Sequence, residues 1–521
     1  MDDNSTIDYR RLVLFVMLLA LVLVLVVAGL RVQDDRTGSA EDQAIASEAP
    51  AVAVAATSTP KPTPTPTPTP YPGWVDPASF GEPYGEIVEG LLTFRGNPTR
   101  SFYGRGAPQS PTVAWSFPPA TEDPLCSTST TGPMGTVATT TWCGTGWTGQ
   151  ASIFVRNART WVVFGSFGSA VHFVDGVSGQ RILPDFPVGD IIKGSVTVDP
   201  DGFPIVYFGS RDNKLRAVSF DGPEPEELWS IDAEDFAPIL HDNDWDGSPL
   251  VIDDYLFEGG ENSRWFAVKL NRGYDQATNR VTVDPEVVVN IAAWTDELLE
   301  AVGDDNVSIE NSVAISGDII YFANSGGLIQ GWDISDLQIG TQPTKTFEFW
   351  AGDDIDASLV IDEEGMIYAG VEWERSNERS REVGQIIKLD PSRPDDPLVW
   401  SLAARVRLPD GVWATPAVTD TMVYVPTNEG FIKGIDRTTG ALVWEKKLQG
   451  PVWSSPAVVD GLLILPDCVG TIHAWDVSDP TIDPPEVWTA NTTWCTESTV
   501  AIWDGLMVVG DRKGRVWAFT D

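Results

Sequence analysis

The sequence Thr415-Pro-Ala-Val-Thr-Asp-Thr-Met-Val-Tyr-Val425, followed by Gly430-Phe-Ile-Lys-Gly-Ile-Asp436 and then Leu442-Val-Trp444, decides the fold. It contains a small opening residue, two short apolar runs, a third run ending in Asp, and a fourth run carrying Trp. Apolar runs rich in Val, Ile, Tyr and Trp and bounded by Gly, Pro and Asp are typical of strands joined by tight turns. The stretch therefore predicts one sheet of four antiparallel strands.

The same pattern recurs along most of the chain. The next copy begins at Ser455-Pro456 and reaches Trp488. Further openings stand near Ala151-Ser152, Gly194-Ser195, Ser248-Pro249, Asn311-Ser312, Ala357-Ser358 and Ser498-Thr499. Units of roughly 40 to 60 residues with four short strands each indicate a β-propeller. Eight openings predict an all-β, eight-bladed propeller of four-stranded antiparallel blades, with Trp229, Trp400, Trp444 and Trp488 in outer strands.

The last unit predicts how the ring closes. It ends at Asp521 after its third strand, so its fourth strand is missing. The run Pro111-Thr-Val-Ala-Trp115-Ser-Phe precedes the first unit and resembles the other fourth strands. Pairing this N-terminal strand with the last blade would remove both open sheet edges.

The N-terminal region divides into three predicted segments. Residues 12–30 form an uninterrupted apolar run of bilayer-spanning length, preceded by Arg10 and Arg11. We interpret this run as a transmembrane signal anchor, with a short cytoplasmic segment at 1–11 and a cleaved signal peptide as the alternative. Residues 31–73 form a disordered stalk in which the Thr-Pro repeats favour extended polyproline II. The propeller domain is predicted at 74–521, outside the cytoplasm, so that the protein crosses the cell membrane once.

The charge of the chain limits its partners. Lys and Arg number 34 against 75 Asp and Glu, which gives a formal net charge of −41. Such a surface repels nucleic-acid phosphates, so no nucleic-acid partner is expected. Cationic, neutral or metal partners remain, and so does the simpler interpretation that the acids only solvate the surface.

The four cysteines are predicted to form two disulfides, because the count is even and the domain is expected outside the cytoplasm. Cys126–Cys143 with Cys468–Cys495 is one pairing. Cys143–Cys495 is the alternative, because each of these residues ends a Thr-Trp-Cys sequence. The three histidines lie far apart and away from the cysteines, which argues against a zinc site.

The unit from Gly434 to Trp444, with its Asp, Thr-Gly and Trp signature, resembles the tryptophan-docking repeat of the pyrroloquinoline-quinone family. This family includes quinoprotein alcohol dehydrogenases and the outer-membrane assembly lipoprotein propeller. The resemblance implies an eight-bladed fold over roughly residues 90–521. For dehydrogenases it implies a quinone, a calcium ion and a disulfide between adjacent cysteines, but no two cysteines are adjacent here. No Gly-x-Ser-x-Gly nucleophile motif occurs either.

An acidic loop is the first candidate site. Asp242, Asp244 and Asp246 alternate before a Gly, as in a calcium-binding loop, with Ser248 and Asp253 as further candidate ligands. Asp253 stands where such loops usually have Glu. The loop predicts a Ca²⁺ site, and the alternative is an acidic turn that leads into a strand.

The blade openings supply the second candidate site. Equivalent positions before the openings are expected to converge at one end of the central channel, where they would bind a cation or polar ligand. Counted from the sequence, these positions are Gln150, Lys193, Gly247, Glu310, Asp356, Ala414, Ser454 and Glu497. Trp413 and Trp453 also lie at openings and could stack on a planar ligand. The alternatives are a hydrated channel mouth and indoles that fill the core.

These observations predict a non-catalytic binding scaffold whose partner is an extracytoplasmic protein or a polar ligand. Two other functions remain open. One is a quinone-dependent oxidoreductase with pyrroloquinoline quinone as its cofactor, and the other is a glycan- or cell-wall-binding module.

Overall fold

The described part of the chain folds as eight sheets arranged around one axis. The structure is a computed structural model that describes residues 71–521, except 86, 130–138, 147–148 and 406–409. The predicted cytoplasmic segment, the predicted anchor at 12–30 and most of the predicted stalk lie outside the described residues. In the part that is described, no helix is long and apolar enough to cross a membrane.

Each blade is a four-stranded antiparallel sheet, so the predicted eight-bladed architecture is confirmed. Blades one to four comprise Ser152–Arg156, Arg159–Ser166, Ala170–Asp175 and Phe186–Pro187; Thr197–Val198, Ile205–Gly209, Lys214–Ser219 and Glu226–Asp232; Leu250–Ile252, Tyr255–Gly260, Arg264–Lys269 and Glu286–Ala292; and Ala314–Ser316, Ile319–Phe322, Leu328–Asp333 and Thr344–Trp350. Blades five to eight comprise Val360–Ile361, Ile367–Gly370, Ile386–Leu389 and Leu398–Leu402; Ala417–Val418, Met422–Pro426, Phe431–Asp436 and Leu442–Lys447; Ala457–Val459, Leu462–Pro466, Thr471–Asp476 and Glu486–Asn491; and Ala501–Trp503, Leu506–Asp511, Arg515–Thr520 and Thr112–Phe117.

The N-terminal strand Thr112–Phe117 closes the ring, as predicted. It pairs antiparallel with Arg515–Thr520 and supplies the outer strand of blade eight. Its register shifts between Val113 and Trp115, and the outer strands of blades two to seven show a shift at the corresponding pairing. A shared β-bulge identifies this strand as a true fourth strand, because bulges set the local twist that outer strands need.

A belt of hydrogen bonds links the blades near the axis. The backbone N–H of each belt residue donates to the side-chain oxygen of the next, over 2.8–3.1 Å, from blade one to blade seven. The belt residues are Gln150, Ser195, Ser248, Ser312, Ser358, Thr415 and Ser455. The small opening residue of the sequence repeat is thus explained, because a hydroxyl at this position satisfies a buried N–H of the preceding blade.

The segment from Gly90 to Arg105, here called the axial segment, fills the centre of the ring. Gly90–Leu91 pairs with the first strand of blade one. Arg95 and Arg100 are fully buried. Arg95 donates to the carbonyl oxygens of Pro416 and Pro456, and Arg100 donates to those of Ser248 and Val313. The segment therefore cross-links blades on opposite sides of the axis.

The propeller has two distinct faces. The axial segment and the residues before it cover the face that carries the turns between first and second strands, where Val75 pairs with Gly317 and Arg105 with Asp504. The opposite face, here called the mouth, carries the blade openings and the loops between second and third strands. The helices Asp296–Val302 and Glu378–Val383 lie in insertions before blade four and within blade five.

Two disulfides stabilise the mouth. Cys126 bonds to Cys143 across the hairpin of Cys126–Ser129 and Thr140–Cys143, and Cys468 bonds to Cys495 between blades seven and eight. The prediction of disulfides is confirmed, with this connectivity rather than Cys143–Cys495. The remaining two-stranded sheet, Gly273–Tyr274 with Val281–Thr282, lies in the connection between the third and fourth strands of blade three.

Candidate functional site

The belt fixes the register of the blades and so identifies the equivalent positions at the mouth. The residue two positions before each belt residue belongs to a set that is here called the mouth ring. In blades two to eight, with Thr499 as the opening of blade eight, its members are Lys193, Asp246, Glu310, Asp356, Trp413, Trp453 and Glu497.

The predicted ring was one residue out of register at several blades. Asp246, Trp413 and Trp453 hold the positions assigned from sequence to Gly247, Ala414 and Ser454, and Gln150 belongs to the belt. At the first three positions the error arose because a Pro follows the belt residue, whereas Gln150 lies two residues after the ring position of blade one. The position equivalent to these in blade one is residue 148, which lies outside the described residues.

A second layer of the mouth has equally regular geometry. In blades two to eight, a residue in the loop between the second and third strands donates its backbone N–H to the carbonyl oxygen of the residue two positions before the ring residue. Examples are Arg211 to Ile191, Glu261 to Asp244, Ser325 to Ser308, Glu372 to Asp354 and Cys468 to Pro451, at 2.8–2.9 Å. These contacts place each loop side chain beside the ring, so Glu261 and Glu372 are structural equivalents.

Blades two and three form a compensated cluster, here called the lysine group: Lys193, Asp244, Asp246 and Glu261. The Lys193 ammonium lies 2.6 Å from Asp246, 3.1 Å from Glu261 and 3.4 Å from Asp244. Arg211 lies 3.1 Å from Asp244. Burial acts to lower the pKa of Lys193, but the surrounding carboxylates outweigh it and raise that pKa well above its usual value. The ammonium is therefore held in its charged form.

Blades four and five form the corresponding cluster without a lysine, here called the acid group: Glu310, Asp354, Asp356 and Glu372. Glu310 accepts hydrogen bonds from Ser308 and Ser325 at 3.0 and 3.1 Å. Burial first, and then neighbouring carboxylates, raise the pKa values of Glu310, Asp354 and Asp356 well above their usual range. The same causes raise the pKa of Glu372 to about 8. This cluster consequently holds its negative charge at a high cost in free energy.

The two tryptophans of the ring stand next to the acid group. Trp413 donates its indole N–H to Asp356, and its ring meets that of Trp453 edge to face at 5.9 Å between centroids. Both indoles are half-buried. Glu497, the last ring member, pairs with Arg512 at 2.7 Å. Asp356, Trp413 and Trp453 thus lie together on one side of the mouth. Glu310 lies between them and the lysine group, since one of its oxygens is within 4.8 Å of oxygens of Asp246 and Glu261.

The predicted calcium loop divides into two parts. Asp242 and Asp244 can approach one another together with Glu261, and Asp246 can do so with Glu261 and Glu310. Ser248 instead belongs to the belt, and the strand Leu250–Ile252 separates it from Asp253. Asp253 lies in the turn beyond that strand and accepts a hydrogen bond from Gln338 at 2.9 Å. This segment therefore does not form a twelve-residue loop around one ion, because residues 250–252 form a strand.

The axial segment is a part of the site that was not predicted from sequence. Arg100 lies beside Glu258, whose burial raises its pKa to about 8 despite the opposing charge of Arg100. Arg95 contacts the ring of Tyr103 at 4.2 Å. One signal was available: the run from Leu91 to Tyr103 contains two arginines among aromatic and small residues and no acid, within a strongly acidic chain.

The family resemblance is supported by sequence comparison. Residues 382–520, which span blades six to eight and the end of blade five, match the family described as outer membrane protein assembly factor BamB. These blades are therefore similar in sequence to that propeller family. A search of curated proteins finds no match to the chain.

Two solved structures with TM-scores above 0.5 support the propeller fold. The quinohemoprotein alcohol dehydrogenase ADHIIG from Pseudomonas putida HK5 is 11% identical, with a TM-score of 0.54, and the match covers 83% of this chain and 80% of that one. The quinohemoprotein alcohol dehydrogenase from Comamonas testosteroni is 13% identical, with a TM-score of 0.51 and the same coverages. BamB from Moraxella catarrhalis is 12% identical over 80% of this chain and 99% of that one, with a TM-score of 0.36. At these identities the likeness concerns the fold alone.

Proposed function

We propose that this protein is a non-catalytic binding scaffold, anchored in the cell membrane by residues 12–30, whose propeller lies outside the cytoplasm and binds a partner protein or polar ligand at the mouth. The observation that carries this proposal is the contrast between a filled axis and a polar mouth. Arg95 and Arg100 cross-link the blades below the mouth, while charged and aromatic side chains converge above them. A rigid ring with one preformed polar surface suits binding without chemistry.

The family comparison supports the same interpretation. The matching family is described as an assembly factor of the outer membrane, and an extracytoplasmic location agrees with the two disulfides of the present chain. Bridges such as Cys468–Cys495 persist in oxidising compartments and hold the mouth loops in place for a partner.

A quinone-dependent oxidoreductase is the second candidate, because two similar structures with TM-scores above 0.5 are quinohemoprotein alcohol dehydrogenases. The residues of the mouth fit pyrroloquinoline quinone poorly. That cofactor carries carboxylates, and it would face the acid group. The Lys193 ammonium, moreover, already lies among the carboxylates that could otherwise hold a calcium ion.

Calorimetric titration with pyrroloquinoline quinone, with and without Ca²⁺, separates the two candidates. The scaffold proposal expects no quinone binding, together with co-purification of a membrane or envelope protein after crosslinking in cells. Tight, calcium-dependent quinone binding that is weakened in Glu310→Ala and Asp356→Ala would overturn the scaffold proposal and justify a screen of alcohol substrates.

A further inference from the structure

We propose that the acid group binds a primary ammonium group, presented either by a lysine side chain of a partner protein or by a free amine. The inference rests on the proposed function, in that it specifies what the mouth binds. It is carried by an internal comparison between the two clusters of the mouth and by two buried carboxylate oxygens that no donor satisfies.

The lysine group shows what an ammonium-binding site looks like in this fold. Asp244, Asp246 and Glu261 occupy, in blade three, the same positions that Asp354, Asp356 and Glu372 occupy in blade five. In the preceding blade, the equivalent ring position is Lys193 in one cluster and Glu310 in the other. Three carboxylates that surround an ammonium at 2.6–3.4 Å in the first cluster therefore recur in the second, where the chain supplies a fourth carboxylate instead.

Buried acceptor atoms point into the second cluster. Asp354 is 4% exposed and Asp356 is 8% exposed. No N–H or hydroxyl group of the part of the chain that the structure describes donates to the Oδ1 atom of either residue, and the two carboxyl groups contact each other. Buried acceptors without donors are rare in folded proteins and costly when charged. An ammonium group, with three N–H donors and one positive charge, would satisfy both atoms and offset the repulsion among the four acids.

Two cations lie near this cluster. Lys193 acts on Glu310 from the lysine group, where it pairs with Asp246 and Glu261, and Arg375 has most of its contacts elsewhere. Its guanidinium donates to the carbonyl oxygens of Ser325 and Asn306 and pairs with Asp304 at 3.3 Å, whereas its distance to Asp354 is 3.9 Å. Arg211, by comparison, lies 3.1 Å from the equivalent Asp244. The acid group therefore lacks the close compensation that the lysine group has.

The neighbouring indoles favour an organic cation over a bare metal ion. Trp413 is fixed by its hydrogen bond to Asp356, and Trp453 meets it edge to face, so both half-buried rings border the cluster. An aromatic face attracts an alkylammonium group electrostatically and also packs against its methylene chain. A divalent ion gains nothing comparable from an indole, and the groupings of three acids close enough to hold one do not include Asp354 or Asp356 among the described residues.

Titration of the full-length protein with two amines tests this proposal. Pentalysine peptide and n-butylamine are titrated calorimetrically at alkaline pH and about 150 mM NaCl, where diffuse surface attraction is screened. The decisive variant is Glu310→Lys, which places an ammonium where Lys193 stands in the related cluster. Glu348→Lys is the matched control, because it changes the charge equally at an exposed outer strand, where Glu348 pairs with Lys345.

We expect Glu310→Lys to weaken binding of both amines at least about tenfold and to keep the fold, since its own ammonium fills the site. Glu348→Lys should change either affinity less than about twofold. Binding of pentalysine alone would identify the source as a peptide lysine, and binding of both amines would admit a free amine.

Three results would overturn the proposal. Equal weakening by the two variants would show only a diffuse acidic field. Binding of CaCl₂ that depends on Glu310 and is not displaced by butylamine would show a metal site. No binding of either amine would mean that Asp354 and Asp356 share a proton instead. If neither amine binds but a partner protein co-purifies, the ammonium site is refuted and the scaffold function is retained. Failure of the ammonium site can therefore be distinguished from failure of the scaffold proposal.

Discussion

Blades two and three build the same four-position cluster at the mouth as blades four and five, and the two differ in one side chain. The ring position holds Lys193 in the first and Glu310 in the second. The first cluster contains its own cation. Burial acts to raise the pKa of Glu261 there, but the charge of Lys193 together with hydrogen bonds to Asp246 and Lys193 lowers that pKa on balance. In the second cluster no ammonium holds the ring position, and burial raises the pKa of the equivalent Glu372 to about 8.

The difference shows how a repeat protein separates structure from function. The belt and the loop contacts are the same at both places, so backbone geometry does not distinguish the clusters. The residue at one ring position determines whether the carboxylates are neutralised by a lysine of the same chain or are left to bind a cation from outside. A compensated cluster of this kind contributes to stability, whereas an uncompensated one reduces stability and gains affinity for cations.

Removing the internal cation should produce the largest effect. Lys193→Met leaves three buried carboxylates, Asp244, Asp246 and Glu261, without the ammonium that contacts them. Breaking a buried ion pair from one side typically costs about 3–5 kcal/mol. Urea unfolding at neutral pH should show a loss of that size.

Lys345→Met is the control for this change. It removes a lysine from the half-exposed pair with Glu348, so a loss below about 1 kcal/mol is expected. Similar losses in the two variants would mean that the lysine group contributes no more than a surface ion pair.

The repeat geometry was accessible from the sequence because it depends on strand pattern and turn residues. Small residues at Ser248, Ser358 and Thr415 mark the belt, and the Trp115 run completes the last blade, which allowed closure to be predicted. The structure places Lys193, Glu310, Asp356 and both ring tryptophans, which were predicted as ligand-binding residues, at the mouth. Their biochemical role stays a prediction.

Two features could not be obtained from sequence for physical reasons. The register of the ring requires the inter-blade hydrogen bonds, because a Pro after the belt residue, as at Ser248-Pro249, shifts the apparent start of a blade by one residue. The axial segment satisfies its polar groups through contacts distant in sequence, such as Arg95 to Pro456 and Arg100 to Val313. No local periodicity encodes such contacts.

The uncompensated cluster should make stability fall as pH rises, which is the next largest effect. Glu372 has an ordinary pKa near 4.5 that is raised to about 8 in the folded chain. Between these values the folded state holds a proton that the unfolded state has released, so stability decreases with increasing pH by up to about 1.4 kcal/mol per unit.

Glu372→Gln removes this proton linkage while keeping the shape of the side chain. Relative to the variant, the unmodified protein should lose on the order of 2 kcal/mol between mildly acidic and mildly alkaline pH, measured by urea unfolding at several pH values. Glu348→Gln, at an exposed position, should leave the pH profile unchanged. Parallel profiles for Glu372→Gln and the unmodified protein would remove the physical basis for the contrast between the two clusters.

The smallest effect is expected from the aromatic border of the acid group. Trp413→Phe keeps a ring beside the cluster but removes the indole N–H that donates to Asp356. The lost donor raises the cost of ionising Asp356, and the smaller ring weakens the attraction for a cation, by about 0.5–1 kcal/mol together. Butylamine affinity should therefore fall about threefold to fivefold. Trp494→Phe, at a 54% exposed residue next to the Cys468–Cys495 bridge, serves as the control and should leave the affinity unchanged. An unaltered affinity in Trp413→Phe would limit the ammonium site to its carboxylates and remove the indoles from it.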